Sequence, residues 1–362
     1  MPVCLNRDSS IHELLKGDAV PDTPQHLDFR ERSAGCIDIG LLNNMPDGAL
    51  HSTERQFFTL LNAAAGGVVV RLSLFALPEV PRSDSAQDHI RRFYSGIGDL
   101  WSRRLDGLII TGTEPRTANL RDEPYWGSMT RVLDWAAENT HSTICSCLAA
   151  HAAVLHLDGI ERRRLSDKRF GLFQCNPACS HPLTAAIPPN LVMPHSRWND
   201  LPEDGLVACG YRILMRSGDA GADTFVKPGK SPFVFFQGHP EYEANTLMLE
   251  YRRDIARYIR GERETYPSMP QRYFDPETAA ALTLLRERAR HQPHENLVAD
   301  FPTALAEKNL QTPWRSAAAR IYGNWLTFLC ARKEERLEAT AGRKALVAER
   351  DVLVHRSAAA GD

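Results

Sequence analysis

Cys147 and the segment Gln237-Gly238-His239-Pro240-Glu241-Tyr242 hold the residue types that nucleophilic chemistry needs. A thiol attacks a carbonyl, an imidazole moves the proton, and a carboxylate two residues on holds that imidazole in one tautomer. Cys147 follows Ile-Cys-Ser and precedes Leu-Ala-Ala-His-Ala-Ala, which reads as a strand end running into a helix start. Such a junction lifts the side chain out of a sheet. It also puts backbone N–H groups, such as that of Leu148, where an oxyanion would form. The positive end of a helix favours negative charge on a sulfur placed there. Small residues at Ala149, Ala150, Ala152 and Ala153 permit close helix–sheet approach. The plainer alternative for Cys147 is a buried structural thiol. Cys145 competes with it, two residues earlier and deeper in the same strand. For His239 the alternative is an incidental histidine in a turn, weakened because His-Pro-Glu ends the apolar run 233–236.

Those residues need a scaffold, and the pattern along the chain supplies one. Apolar, β-branched runs at 36–42, 68–75, 105–111, 142–146 and 233–236 predict buried strands. Residues 43–48 have turn chemistry. Ser52 or Thr53 is expected to open a helix, with Gln56 completing a capping box. Helical spacing marks 125–139, 149–157 and 245–260. Strands alternating with helices over about 35–262 imply parallel strands joined by right-handed crossovers and covered on both faces. Active sites in such sheets form at the carboxyl ends of the strands, where Cys147 and His239 both fall. The organisation expected is a polar leader at 1–33, an α/β catalytic domain at 34–265, a helical extension at 266–332 and a charged helical tail at 333–362.

Composition narrows the function classes. The formal net charge of −2 over 362 residues argues against a field built for nucleic acid or a membrane surface. The N-terminus lacks the apolar run of a signal peptide. No stretch approaches the roughly 18 apolar residues of a spanning helix. A cytoplasmic protein acting on small molecules is expected. Its eight cysteines, scattered and without an export signal, are read as free thiols. Cys175, Cys179 and His181 are close enough in sequence for a metal site, but no second cluster has matching spacing, so a loop with two thiols is preferred.

A cysteine followed by His-x-Glu on an open α/β sheet is the pattern of class I glutamine amidotransferases. It is also that of the homoserine O-acyltransferase family, often called homoserine transsuccinylases. Further segments resemble the second family in order and spacing from about residue 38 to 328. They are Asn44-Met45-Pro46 with Thr53-Glu54, Thr111-Gly112 with Tyr125-Trp126, Ser142-Thr143, Gly159-Ile160, and Pro194-His195-Ser196-Arg197. Gly238-His239-Pro240-Glu241-Tyr242 with Thr246-Leu247 and Arg253-Asp254 follow, then Tyr273-Phe274 with Pro276, and Trp314-Arg315-Ser316 with Asn324-Trp325-Leu326. The resemblance implies a class I glutamine amidotransferase-like (flavodoxin-like) α/β fold, a mostly parallel sheet with helices on both faces plus a C-terminal helical extension. It also implies a homodimer.

Residue by residue, Cys147 matches the acyl-thioester nucleophile, His239 the general base and Glu241 its partner. Lys168 matches a lysine at the acyl-binding site and Ser196 a polar residue lining the substrate site. Arg253 matches the arginine that holds the amino acid carboxylate, a task that bidentate guanidinium pairing suits. The chemistry implied is ping-pong transfer from acyl-CoA through a Cys147 thioester to the hydroxyl of L-homoserine, with no bound metal or redox cofactor. Leu148 stands where the family carries tryptophan, and His151 where it carries glutamine. The position that distinguishes succinyl from acetyl donors falls on Arg116, or on Glu114 after a small shift of alignment. A cation at 116 suits the free carboxylate of succinyl-CoA. Serine or another hydroxy amino acid as acceptor, acetyl-CoA as donor, a glutamine amidotransferase-like hydrolase and a catalytically silent homologue are the rival readings.

Overall fold

The computed structural model describes residues 2–5 and 35–358. In chain order the strands are β1 (Val3–Leu5), β2 (Cys36–Leu42), β3 (Val69–Phe75), β4 (Gly107–Ile110), β5 (Ser142–Ser146), β6 (Arg163–Pro177), β7 (Leu191–Asp200), β8 (Arg212–Ser217), β9 (Gly221–Lys227) and β10 (Phe233–Phe236). The helices are α1 (Asp47–Ala64), α2 (Asp84–Phe93), α3 (Ile97–Trp101), α4 (Trp126–Asn139), α5 (Leu148–Asp158), α6 (Glu203–Ala208), α7 (Thr246–Ile259), α8 (Pro276–His291), α9 (Thr303–Lys308) and α10 (Arg315–Ala358).

All ten strands form one sheet in the order β1-β3-β2-β4-β5-β10-β9-β8-β6-β7. From β1 through β10 the pairing is parallel. Strands β4, β5 and β10 are buried along their whole length, because helices cover both faces and leave no polar side to alternate. One face meets Phe57 of α1, Tyr251 of α7 and Trp325 of α10. The other meets Val132 and Leu133 of α4 and the alanines of α5.

Beyond β10 the sheet turns antiparallel through β9, β8, β6 and β7. The expectation of parallel strands across 35–262 therefore holds only up to β5 and again at β10. The antiparallel half escapes a periodicity reading because the first part of β6, rich in Arg, Ser and Asp, is largely exposed.

The helix expected to open at Ser52 or Thr53 starts at Asp47, behind Pro46 and with no side-chain cap. Ser52 is already inside it, donating to the Ala49 carbonyl, and Thr53 is buried. Polar residues in the first turns of a helix mimic its boundary. Within the leader, Val3–Leu5 pairs with β3 as an edge strand; residues 6–34 lie outside the described part. Helix α10 does not break at residue 332. Lys333 is buried, its ammonium 2.6 Å from the Cys36 carbonyl and 2.7 Å from Asp106 Oδ2.

Candidate active site

Strand β5 ends at Ser146 and α5 begins at Leu148, so a single residue must reverse the chain between them. That residue is Cys147, with φ 49° and ψ −110°. A non-glycine residue rarely occupies such backbone space, and where it persists the surroundings enforce it. Here the Cys147 N–H donates to the Phe236 carbonyl at 2.7 Å, pinning the reversal to the end of β10. Parallel pairing sets Ser146 opposite Phe236, so the residues after each strand, Cys147 and Gln237 to His239, emerge side by side.

The Cys147 thiol and the His239 imidazole emerge at neighbouring strand ends and interact electrostatically. His239 Nδ1 lies 2.8 Å from Glu241 Oε1, and Ser146 Oγ donates to the same oxygen at 3.3 Å. His239 and Glu241 are both buried, while Cys147 is partly open. Burial works against charge on His239, but the negative charge available at Cys147 and at Glu241 outweighs it, holding the imidazole proton well above the usual histidine range. Cys145 has no such surroundings: it is fully buried and burial pushes its thiol far up. The two competing thiols are thus separated by environment.

The loop after β4 closes over this point. A Cβ on Gly112 would lie 2.4 Å from Leu148 Cβ and 3.2 Å from the Ala149 nitrogen, so only glycine lets the loop lie against the first turn of α5. Asn44 holds the loop there. Its backbone N–H donates to Thr111 Oγ1 at 2.9 Å and its side-chain amide to the Thr111 carbonyl at 3.2 Å. This accounts for the Asn44 and Thr111-Gly112 segments.

The His239 loop is braced from beneath. Its N–H donates to the Pro194 carbonyl at 2.8 Å. Fully buried His195 and Asp223 face each other at 3.1 Å, and a Cβ on Gly238 would fall 2.5 Å from Asp223 Oδ1. From the C-terminal extension, Trp314 Nε1 donates to the Tyr242 carbonyl at 3.0 Å.

Lys168, Ser196 and Arg253 come together around Glu250 and Asp254 of α7. Ser196 Oγ donates to Glu250, Lys168 Nζ lies 3.5 Å from Glu250 Oε2 and 3.3 Å from Asp254 Oδ2, and Arg253 pairs with Asp254 at 3.0 Å. Tyr242 joins this cluster to the thiol: its ring stacks on His239 at 4.1 Å and its hydroxyl donates to Glu250 at 2.6 Å. Tyr242 and Glu250 were missed as functional candidates. The signal for Glu250 was present, since it precedes Arg253 and Asp254 by three and four residues on one helical face.

Arg116 is exposed on the loop after β4, and its backbone N–H donates to buried Glu123 at 2.6 Å. Glu114 pairs with Arg257 of α7 at 2.9 Å. Arg162, not singled out by sequence, donates to the Ala118 carbonyl at 3.0 Å and keeps Nη1 buried without a hydrogen-bond partner. Burial lowers its proton affinity, and opposing charge at Tyr125 and Glu123 acts the other way. His151, the departure on α5, is a buried partner of Gln237 at 3.0 Å. Cys175, Cys179 and His181 do not converge: Cys179 Sγ donates to the Ile213 carbonyl and His181 caps Leu183, while Cys175 groups with His195 and Asp223.

A cysteine at a strand–helix reversal, with an imidazole and a carboxylate just past the end of the neighbouring strand, is an α/β arrangement of the kind that can support nucleophilic chemistry at sulfur. The family model for homoserine O-succinyltransferase matches residues 2–336. The chain belongs to that family. It is 47% identical to the homoserine O-succinyltransferase of Rhodopseudomonas palustris over 83% of this chain and 91% of that one. It is also 47% identical to that of Methylorubrum extorquens over 82% and 88%. Among solved structures, a glutamine amidotransferase from Thermotoga maritima superposes with a TM-score of 0.46 at 10% identity, covering 81% of this chain and 98% of that one. At that level the likeness carries no functional argument. Among the described residues, no helix is long and apolar enough to cross a membrane.

Proposed function

We propose that this protein is a homoserine O-succinyltransferase that works through a thioester on Cys147. The observation that carries the reading is the continuous array Cys147–His239–Glu241 joined through Tyr242 to Glu250, Lys168, Ser196 and Arg253. Cys147 sulfur attacks the succinyl-CoA thioester, and backbone N–H groups at the start of α5 and near Gly112 receive the oxyanion. CoA leaves as its thiol, taking the proton from His239. The homoserine hydroxyl then gives its proton to the neutral imidazole as its oxygen attacks the acyl-sulfur carbon, releasing O-succinylhomoserine and the Cys147 thiol. Arg253 holds the acceptor's carboxylate, with Lys168 and Ser196 lining the same cluster.

The donor's free carboxylate requires a cation. Arg116 fits from sequence, and Arg162 fits from its buried, unpartnered Nη1. The product feeds methionine synthesis, and the enzyme is a cytoplasmic homodimer, a state that sedimentation measures directly.

Steady-state kinetics with homoserine test the acceptor assignment. Arg253→Ala raises KM for homoserine by about ten- to a hundredfold, in line with about 1.5–3 kcal/mol for a charge-assisted contact, and leaves KM for succinyl-CoA unchanged. An unaltered homoserine KM, turnover of serine in preference to homoserine, or ammonia release from glutamine without transfer would each contradict the reading.

A further inference from the structure

We propose that His51, Glu54 and His89 form a divalent-cation site of the zinc type, outside the array around Cys147. His51 and Glu54 are three residues apart on one face of α1, and His89 reaches them from α2. His51 Nδ1 lies 3.5 Å from Glu54 Oε2, His89 Nε2 lies 2.8 Å from Glu54 Oε1, and the two imidazole rings meet edge to face at 4.1 Å. One ligand atom from each residue falls within 4.8 Å of the others. Two donors about 2.0–2.1 Å from a shared tetrahedral ion stand roughly 3.3 Å apart, so this spacing needs only small side-chain adjustment.

A second observation points to a ligand. Tyr94 OH donates to Glu54 Oε1 at 2.5 Å, which engages that oxygen. Glu54 Oε2 is buried with no hydrogen-bond partner and faces His51. A buried carboxylate oxygen left without a donor is costly, and an ion there removes the cost. Two imidazoles and one carboxylate are a zinc donor set, and the exposed His51 side leaves room for water as a fourth ligand. The other cluster, Cys175 with His195 and Asp223, is wholly enclosed, and burial keeps its thiol protonated.

The test uses the full chain, stripped with chelator and titrated with zinc chloride alone, then with cobalt chloride. The proposal predicts one tight equivalent of zinc and a rise in unfolding temperature on binding. Cobalt should give visible ligand-field bands without a near-ultraviolet thiolate band. His51→Ala, at an exposed position that folding tolerates, weakens binding at least about tenfold, since losing a ligand costs no less than losing a group that merely orients one. Cys175→Ala leaves binding intact. Absence of binding, equal binding by His51→Ala, or a thiolate band lost in Cys175→Ala would overturn the proposal.

Discussion

At the scale of the residue, the His239 proton is governed by Cys147 and Glu241. Because His239 is held protonated above the ordinary histidine range by Cys147 and Glu241, its imidazolium stabilises the fold fully below the unfolded value of about 6.5. That contribution is lost as pH rises through the raised folded value. The same loss sets an alkaline limb in the rate of acyl transfer from succinyl-CoA. Glu241→Gln removes one of the two negative charges, so the limb moves to lower pH while kcat falls about a hundredfold or more. A pH–rate profile of the variant checks both, and an unmoved limb would separate Glu241 from the proton. Cys147 and His239 stand out in the sequence because each follows an apolar strand, with Glu241 two residues beyond His239. It did not show Tyr242 or Glu250, whose roles depend on a ring stack and a helix face that meet only in three dimensions.

At the scale of the element, the parallel half of the sheet was legible because its strands are buried on both sides and read as unbroken apolar runs. Strands β6 to β9 were not, since charged residues such as Asp167, Arg197, Arg216 and Asp223 interrupt their apolar runs. Helix α10 is a further case: a charged stretch reads as a solvated tail, yet Lys333 reaches the start of β2 and the residue before β4 to meet Asp106, itself buried and bonded to the Asp38 N–H at 2.9 Å. Lys333→Met leaves Asp106 with weaker partners in Arg336 at 3.4 Å and His141 at 3.7 Å. Breaking a buried pair this way is expected to cost about 3 kcal/mol, read as a lower urea midpoint. A change within experimental scatter would mean that α10 does not hold the sheet. The segment Trp314-Arg315-Ser316 with Asn324-Trp325-Leu326 finds its reason here too, as anchors for the Tyr242 carbonyl and for the Leu183 and Ala185 carbonyls.

At the scale of the whole molecule, acid sensitivity follows from the buried neutral histidines. Burial, reinforced by Arg197, pushes His151 down to about 3, and burial lowers His195 as well. Both take up protons more readily when unfolded, so stability present above about pH 6.5 is lost as pH falls towards the folded values. His151→Gln keeps a hydrogen-bonding partner for Gln237 and removes one of these liabilities. Urea midpoints at pH 7.5 and 5.5 should differ less in that variant than in the wild type. An equal drop in both would place the acid sensitivity elsewhere.

The covalent intermediate on Cys147 is measured directly by intact mass after brief mixing with succinyl-CoA. The wild-type chain should gain one succinyl group that homoserine discharges, while Cys147→Ser, folded by circular dichroism, gains none. An unmodified wild-type chain that still turns over, or an adduct that persists in Cys147→Ser, would contradict transfer through Cys147.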